Sequence, residues 1–126
     1  MKIAVIVVGS HFTGKSRVIN AYLKPLLGLS LRQRLFHRKG KSGCILSQSL
    51  EESRSEGKDK IQRHAHFDLL VLAARPDTES PSQLLATEKL LTKHGFKRFR
   101  VVMDGDPQSE PYCKRKAKEI LKHLGA

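Results

Sequence analysis

Eight consecutive residues, Gly9-Ser10-His11-Phe12-Thr13-Gly14-Lys15-Ser16, combine glycine, hydroxyl and ammonium chemistry at a spacing suited to holding phosphate. The glycines let the backbone wrap an anion with its N–H groups pointing inward, and a helix starting near Lys15 adds the positive end of its dipole. Lys15 then reaches the β and γ phosphates of a nucleoside triphosphate, and the Ser16 hydroxyl ligates a Mg²⁺ that bridges phosphate oxygens. Ser10, His11, Phe12 and Thr13 fill the variable positions, with Thr13 or His11 placed to touch phosphate and His11 equally placed to sit exposed at the loop apex. Such a match arises by accident in roughly one chain of this length in a few hundred, which leaves an ordinary glycine-rich turn as the weaker reading.

This chemistry works only if a strand delivers the loop and a helix leaves it. Lys2 to Val8 is an apolar run rich in Val and Ile, the pattern of a strand buried on both faces of a parallel sheet. Beyond the loop, Val18, Ile19, Tyr22, Leu23, Leu26 and Leu27 recur at helical spacing, with Pro25 expected to end or kink the helix. Residues 28–42 are irregular and read as a flexible loop or a short hairpin. Short strands are expected at Gly43–Ser47, Phe67–Ala74 and Arg98–Met103. Ser49-Leu50-Glu51-Glu52 reads as a capping box opening a second helix that Gly57 weakens, and Ser80-Pro81-Ser82-Gln83 as the start of a third that stops at Gly95. Cys113, Ala117, Ile120 and Leu124 stripe a final helix. The order β-α-β-α-β-α-β-α predicts an α/β fold in a single domain over residues 1–126, with a mainly parallel sheet of about four strands covered by helices on both faces.

A loop of this pattern between a buried strand and an amphipathic helix resembles that of the P-loop NTPase superfamily, and is similar to those of its small nucleoside and nucleotide kinase-like members. The resemblance covers the chain at the level of element order and rests on this one motif. It implies a three-layer α/β/α sandwich, ATP or another nucleoside triphosphate with Mg²⁺ as ligands, and phosphoryl transfer or hydrolysis as the activity. The chain has no Asn-Lys-x-Asp and no suitably placed Asp-x-x-Gly, the features of GTP-binding relatives.

Superfamily members usually carry an acid at the end of a second core strand, and here that position reads Ala73-Ala74-Arg75. Asp68 begins the same strand, roughly 15–20 Å from the phosphate end at about 3.3 Å per residue, which makes it a poor metal ligand. Asp77, Asp104 and Asp106 remain, of which Asp104, directly after an apolar strand, is the choice; turn chemistry in Asp104-Gly105-Asp106-Pro107 explains it equally well. Arg75 projects from the end of a strand where open α/β sheets collect ligands, to stabilise charge on a transferred phosphoryl group or to pair with Asp77 or Glu79. Gln48, Glu51 or Glu52 could bind an acceptor, although capping explains Glu52 more simply. His64 and His66 form an isolated pair without a third metal ligand in sequence.

Charge is the other unusual quantity. The chain has 126 residues and a net charge of +12, and residues 1–50 contain no Asp or Glu. Basic segment 32–41, with Arg32, Arg34, Arg38, Lys39 and Lys41, reads as a lid over the site, as a hairpin binding nucleic acid or a protein partner, or as a solvated loop. The second reading goes with a regulatory module that binds nucleotide and turns it over weakly. The longest apolar run is six residues, Ile3 to Val8, too short for a membrane span, so no membrane partner and a cytoplasmic location are expected. Cys44 and Cys113 match no metal or redox spacing and read as reduced thiols.

Overall fold

A computed structural model describes residues 2–10, 13–46, 57–76, 78 and 82–125. Four of its strands run parallel: β1 (Lys2–Val8), β3 (Lys41–Ile45), β4 (Leu69–Ala74) and β5 (Phe96–Val102), while β2 (Leu35–Arg38) is antiparallel to β3. The order across the five-stranded sheet is β2-β3-β4-β1-β5, so β1 lies between β4 and β5. That position explains its composition. Ile3 through Val8 are all buried, because a strand with neighbours on both sides and helices on both faces has no side left for water.

Side-chain alternation sorts the core into two halves. Ile3, Val5 and Val7 pack with Val18, Ile19 and Leu23 and with Cys113, Ala117 and Ile120. Ala4, Ile6 and Val8 pack on the other face with Ile61, Leu84 and Leu91. The first face is covered by the helix that leaves the loop and by α5 (Glu110–His123); the second by α3 (Gly57–His64) and α4 (Leu84–Lys93). The fold is therefore α/β with a mostly parallel sheet between helices. Among the described residues no helix is long and apolar enough to cross a membrane.

The first helix is continuous over residues 15–26 but changes hydrogen-bond register along its length. It begins as α1 (Lys15–Arg17), passes through a π-helical segment Val18–Leu23 and finishes as α2 (Lys24–Leu26). Lys24 N–H donates to Ile19 C=O, five residues back. Pro25 supplies the reason: it has no N–H to donate, and in an α-helix its ring would meet the carbonyl four residues earlier. Widening the preceding turn removes that clash. The expected end or kink at Pro25 thus takes the form of a π segment, and the helix runs one residue past the proline.

The sheet has five strands where about four were expected, because the irregular stretch contributes β2 and the start of β3. These strands form a tight hairpin in which Arg38 faces Lys41 and the turn residues Lys39 and Gly40 have φ of 51° and 78°. Both values lie in the left-handed region that a two-residue I′ turn demands. Phe36 is held over Gly43, where any side chain would collide with its ring. Observed bounds differ from the expected ones by about two residues at the starts of β3, β4 and β5. Helix α4 begins at Leu84, whose N–H donates to Ser82 Oγ at 3.3 Å. The capping box at Ser49 and the pair Ser80-Pro81 lie outside the described residues. Both cysteines are free and buried.

At the other edge, β5 places Arg98 and Arg100 against α4. Glu88, only 8% exposed, accepts from Arg100 Nε at 3.0 Å and stands 3.6 Å from Arg98 Nη1, which keeps a buried carboxylate compensated.

Candidate functional site

Three strand ends meet where the glycine-rich loop starts. Gly9 N–H donates to Ala74 C=O at 3.1 Å and Met103 N–H to Val8 C=O at 2.7 Å, so the loop leaves β1 between the ends of β4 and β5. Gly9 lacks room for a side chain: an added Cβ would strike Thr13 Oγ1 and lie 3.1 Å from Met103 Cβ. Thr13 closes the loop on itself, donating to Ser10 C=O from its N–H at 3.2 Å and from its hydroxyl at 2.7 Å. His11 and Phe12 lie outside the described residues.

Gly14 turns the chain into the helix at φ 87°, in the left-handed region, and its Cα faces Pro107 so closely that a Cβ would be 2.7 Å from the proline's. It supplies no side-chain cap. The first N–H groups of a helix have no acceptor within the helix, so this end is suited to an external anion. Lys15 is buried at 6% exposure, and its ammonium folds back over the loop to donate to Gly9 C=O and, at 3.1 Å, to Ser10 C=O. Ser16 is exposed, with its hydroxyl oxygen accepting from Asn20 Nδ2 at 3.1 Å. Asn20 is not among the residues that the sequence singles out; its only signal is its place one turn beyond Ser16.

The other candidates collect at the same sheet edge. Arg75 directly follows Ala74, the acceptor for Gly9, and its own carbonyl accepts from the Ser82 hydroxyl at 2.9 Å. Asp104 follows β5 and is held by Tyr112, which the sequence does not single out either. The Tyr112 hydroxyl accepts from the Asp104 and Gly105 N–H groups at 2.8 and 2.7 Å and donates to Asp104 Oδ1 at 3.1 Å. Lys116 Nζ stands 3.9 Å from the same oxygen, and 73% of the Asp104 side chain is exposed. Asp106 Oδ1 accepts from Gln108 N–H at 2.9 Å, and Cys113 donates its thiol to Pro107 C=O at 3.3 Å. Both observations fit the turn-chemistry reading of Asp104-Gly105-Asp106-Pro107, in a loop that leans Pro107 against Gly14.

Asp68 sits at the opposite end of β4, where its N–H donates to Ser42 C=O at 3.0 Å, as expected for a residue remote from the loop. Asp77, Gln48, Glu51 and Glu52 lie outside the described residues. His64 Nδ1 is 2.7 Å from Lys60 C=O, and among the described residues no group of three His, Cys, Asp or Glu side chains could hold a metal.

The basic segment is divided by its hairpin. Because β2 runs antiparallel, Arg32 and Arg34 lead in from the loop's side of the sheet while Arg38, Lys39 and Lys41 gather at the far edge. The five cations therefore do not form one lid. Burial lowers the pKa of Lys24, with Arg34 adding to the effect, and Lys60 is lowered by burial together with Arg34 and Arg63. Burial raises the Cys44 thiol against a smaller opposing influence of Arg34. Comparison of the chain with protein-family models, curated proteins and solved structures yields no match.

Proposed function

We propose that the chain binds a nucleoside triphosphate, ATP first, with Mg²⁺ in the Gly9–Ser16 loop, as a P-loop NTPase with a three-layer sandwich of the kinase-like kind. The observation that carries this reading is the buried Lys15 ammonium held against the Gly9 and Ser10 carbonyls, at the junction of a central strand with an uncapped helix start. A lysine so placed has carbonyl dipoles for partners, and a phosphate oxygen replaces them with a charge-assisted bond.

The residues present fit the ligands. Gly9 and Gly14 carry no side chain where the loop packs most closely, Gly9 against Thr13 and Met103 and Gly14 against Pro107. Ser16, oriented by Asn20, fits as the protein's alcohol ligand to Mg²⁺, which when bound neutralises phosphate charge and retains several waters. In the transfer reading, Arg75 stabilises charge on the phosphoryl group and Asp104 orients the attacking oxygen. Catalysis then rests on positioning and electrostatics.

A second reading, nucleotide binding with weak turnover, draws support from Asp104. Its carboxylate already accepts from Tyr112 and faces Lys116, and β4 ends without an acid. Calorimetric titration with Mg²⁺-ATP and Mg²⁺-GTP, with phosphate release followed in the same samples, tests both readings. Lys15→Ala is expected to weaken binding by roughly ten- to a hundredfold, from loss of a hydrogen bond to a charged group worth about 1.5–3 kcal/mol. Unchanged affinity in that variant overturns the nucleotide site. Binding without phosphate release selects the second reading.

A further inference from the structure

The sheet edge opposite the loop, where strands begin and helices end, gathers cations from both faces. Lys39 sits in the hairpin turn and Lys41 follows it, Lys97 is the second residue of β5, and α3, α4 and α5 carry Arg63, Lys93 and Lys122 in their last turns. Helix dipoles account for the last three, since cations are favoured at helix C-termini. They do not account for Lys41 and Lys97, which lie on strands. Lys39 donates to Gly125 C=O at 2.6 Å and Lys97 lies 5.3 Å over the Phe99 ring, interactions that leave both charges in place. Among the described residues, Asp68 stands at this edge and Glu119, paired with Lys116, one turn short of the end of α5, while Asp104, Asp106 and Glu110 stand at the other.

The spread of the charges limits what they can bind. Five strands spaced by about 4.8 Å extend the edge over about 20 Å, so a small anion meets one or two cations whereas a chain of phosphates meets most of them. Aromatic surface lies among them: the exposed His66 ring sits 4.2 Å from Phe67, and His123 stacks on Phe99 at 4.4 Å. Planar rings between cations suit stacked bases. A membrane surface fits less well, because, of the large exposed apolar residues, Leu35, Leu85 and Val102 stand at the loop's end of the sheet, while Leu26 ends a helix at this one.

We infer that this edge is a docking surface for single-stranded nucleic acid, held through its phosphates by Lys39, Lys41, Lys97 and the cations at the helix ends, and separate from the Gly9–Ser16 loop. The inference stands whether or not that loop binds nucleotide. Fluorescence anisotropy with a labelled oligouridine or oligothymidine of about 20 nucleotides, over a range of salt, tests it. Combined Lys39→Gln, Lys41→Gln and Lys97→Gln substitutions are expected to weaken binding at least tenfold and to reduce the salt slope by about 2, at roughly 0.7 for each phosphate no longer neutralised. Lys93→Gln with Lys122→Gln, on exposed helix ends, provides a second variant that leaves the hairpin untouched and is expected to weaken binding in the same direction. Lys114→Gln with Lys118→Gln, on the exposed length of α5, and Lys15→Ala are expected to leave it unchanged. Equal losses in edge and control variants overturn the inference, as does wild-type protein that binds phosphatidylserine vesicles and neither oligonucleotide.

Discussion

At the scale of single residues, the candidate site depends on a side chain two loops away from the phosphate motif. Tyr112 accepts two backbone N–H bonds and returns one to Asp104, and it thereby fixes the turn that carries Pro107 onto Gly14. Replacing it with Phe keeps the ring and removes all three bonds. Tyr112→Phe is expected to destabilise the protein by about 1 kcal/mol, the net worth of a hydrogen bond whose exposed donors on Asp104 and Gly105 can turn to water, measured as a lower urea midpoint at constant m. If the turn supports the loop, nucleotide affinity falls with it; an unchanged midpoint overturns the role assigned to the hydroxyl. The motif itself is legible in sequence because its chemistry is local: glycine, lysine and serine act within eight residues. Tyr112 and Asn20 are not, because nothing in a tyrosine on a helix or an asparagine after a serine announces which group it will meet.

Legibility at the scale of elements follows burial. Strands β1 and β4 read clearly as continuous apolar runs because both of their faces are covered. Edge strands carry a weaker signal. In β2 only Phe36 is buried, and in β5 charged residues stand where apolar alternation would mark a strand, because Arg98 and Arg100 bury their partner Glu88 instead. The π segment is beyond reach, since apolar periodicity cannot distinguish a helix that widens for six residues from one that kinks. Its cause is open to test through Pro25→Ala. If the missing N–H forces the wide register, alanine restores an ordinary turn and one hydrogen bond, and the melting temperature rises by the equivalent of roughly 1 kcal/mol. A fall in melting temperature assigns the π segment to packing of Val18, Ile19 and Leu23 against α5 instead.

For the whole molecule, the two core halves share one sheet, and β1 contributes alternate residues to both. Neither half has a strand set of its own, so separation of one helical layer exposes the face that β1 and β4 share with the other. Unfolding is therefore expected in a single cooperative step, as is usual for a chain of this size. A ligand held at the junction of β1, β4 and β5 must then stabilise everything at once, because the strand ends it would join, at Gly9, Arg75 and Asp104, belong to the three strands that carry most of the core. At a hundred times Kd, Mg²⁺-ATP adds about 2.7 kcal/mol by mass action, which for a domain of this length corresponds to a rise in Tm of roughly 10 °C. Differential scanning calorimetry reads this directly. One sharp transition is expected to move as a whole, with Lys15→Ala unmoved by the same nucleotide and chelation of Mg²⁺ reducing the shift. Two transitions, of which only one moves, disprove the shared-sheet argument, whereas a single transition that ignores nucleotide leaves the cooperativity intact and counts against the ligand.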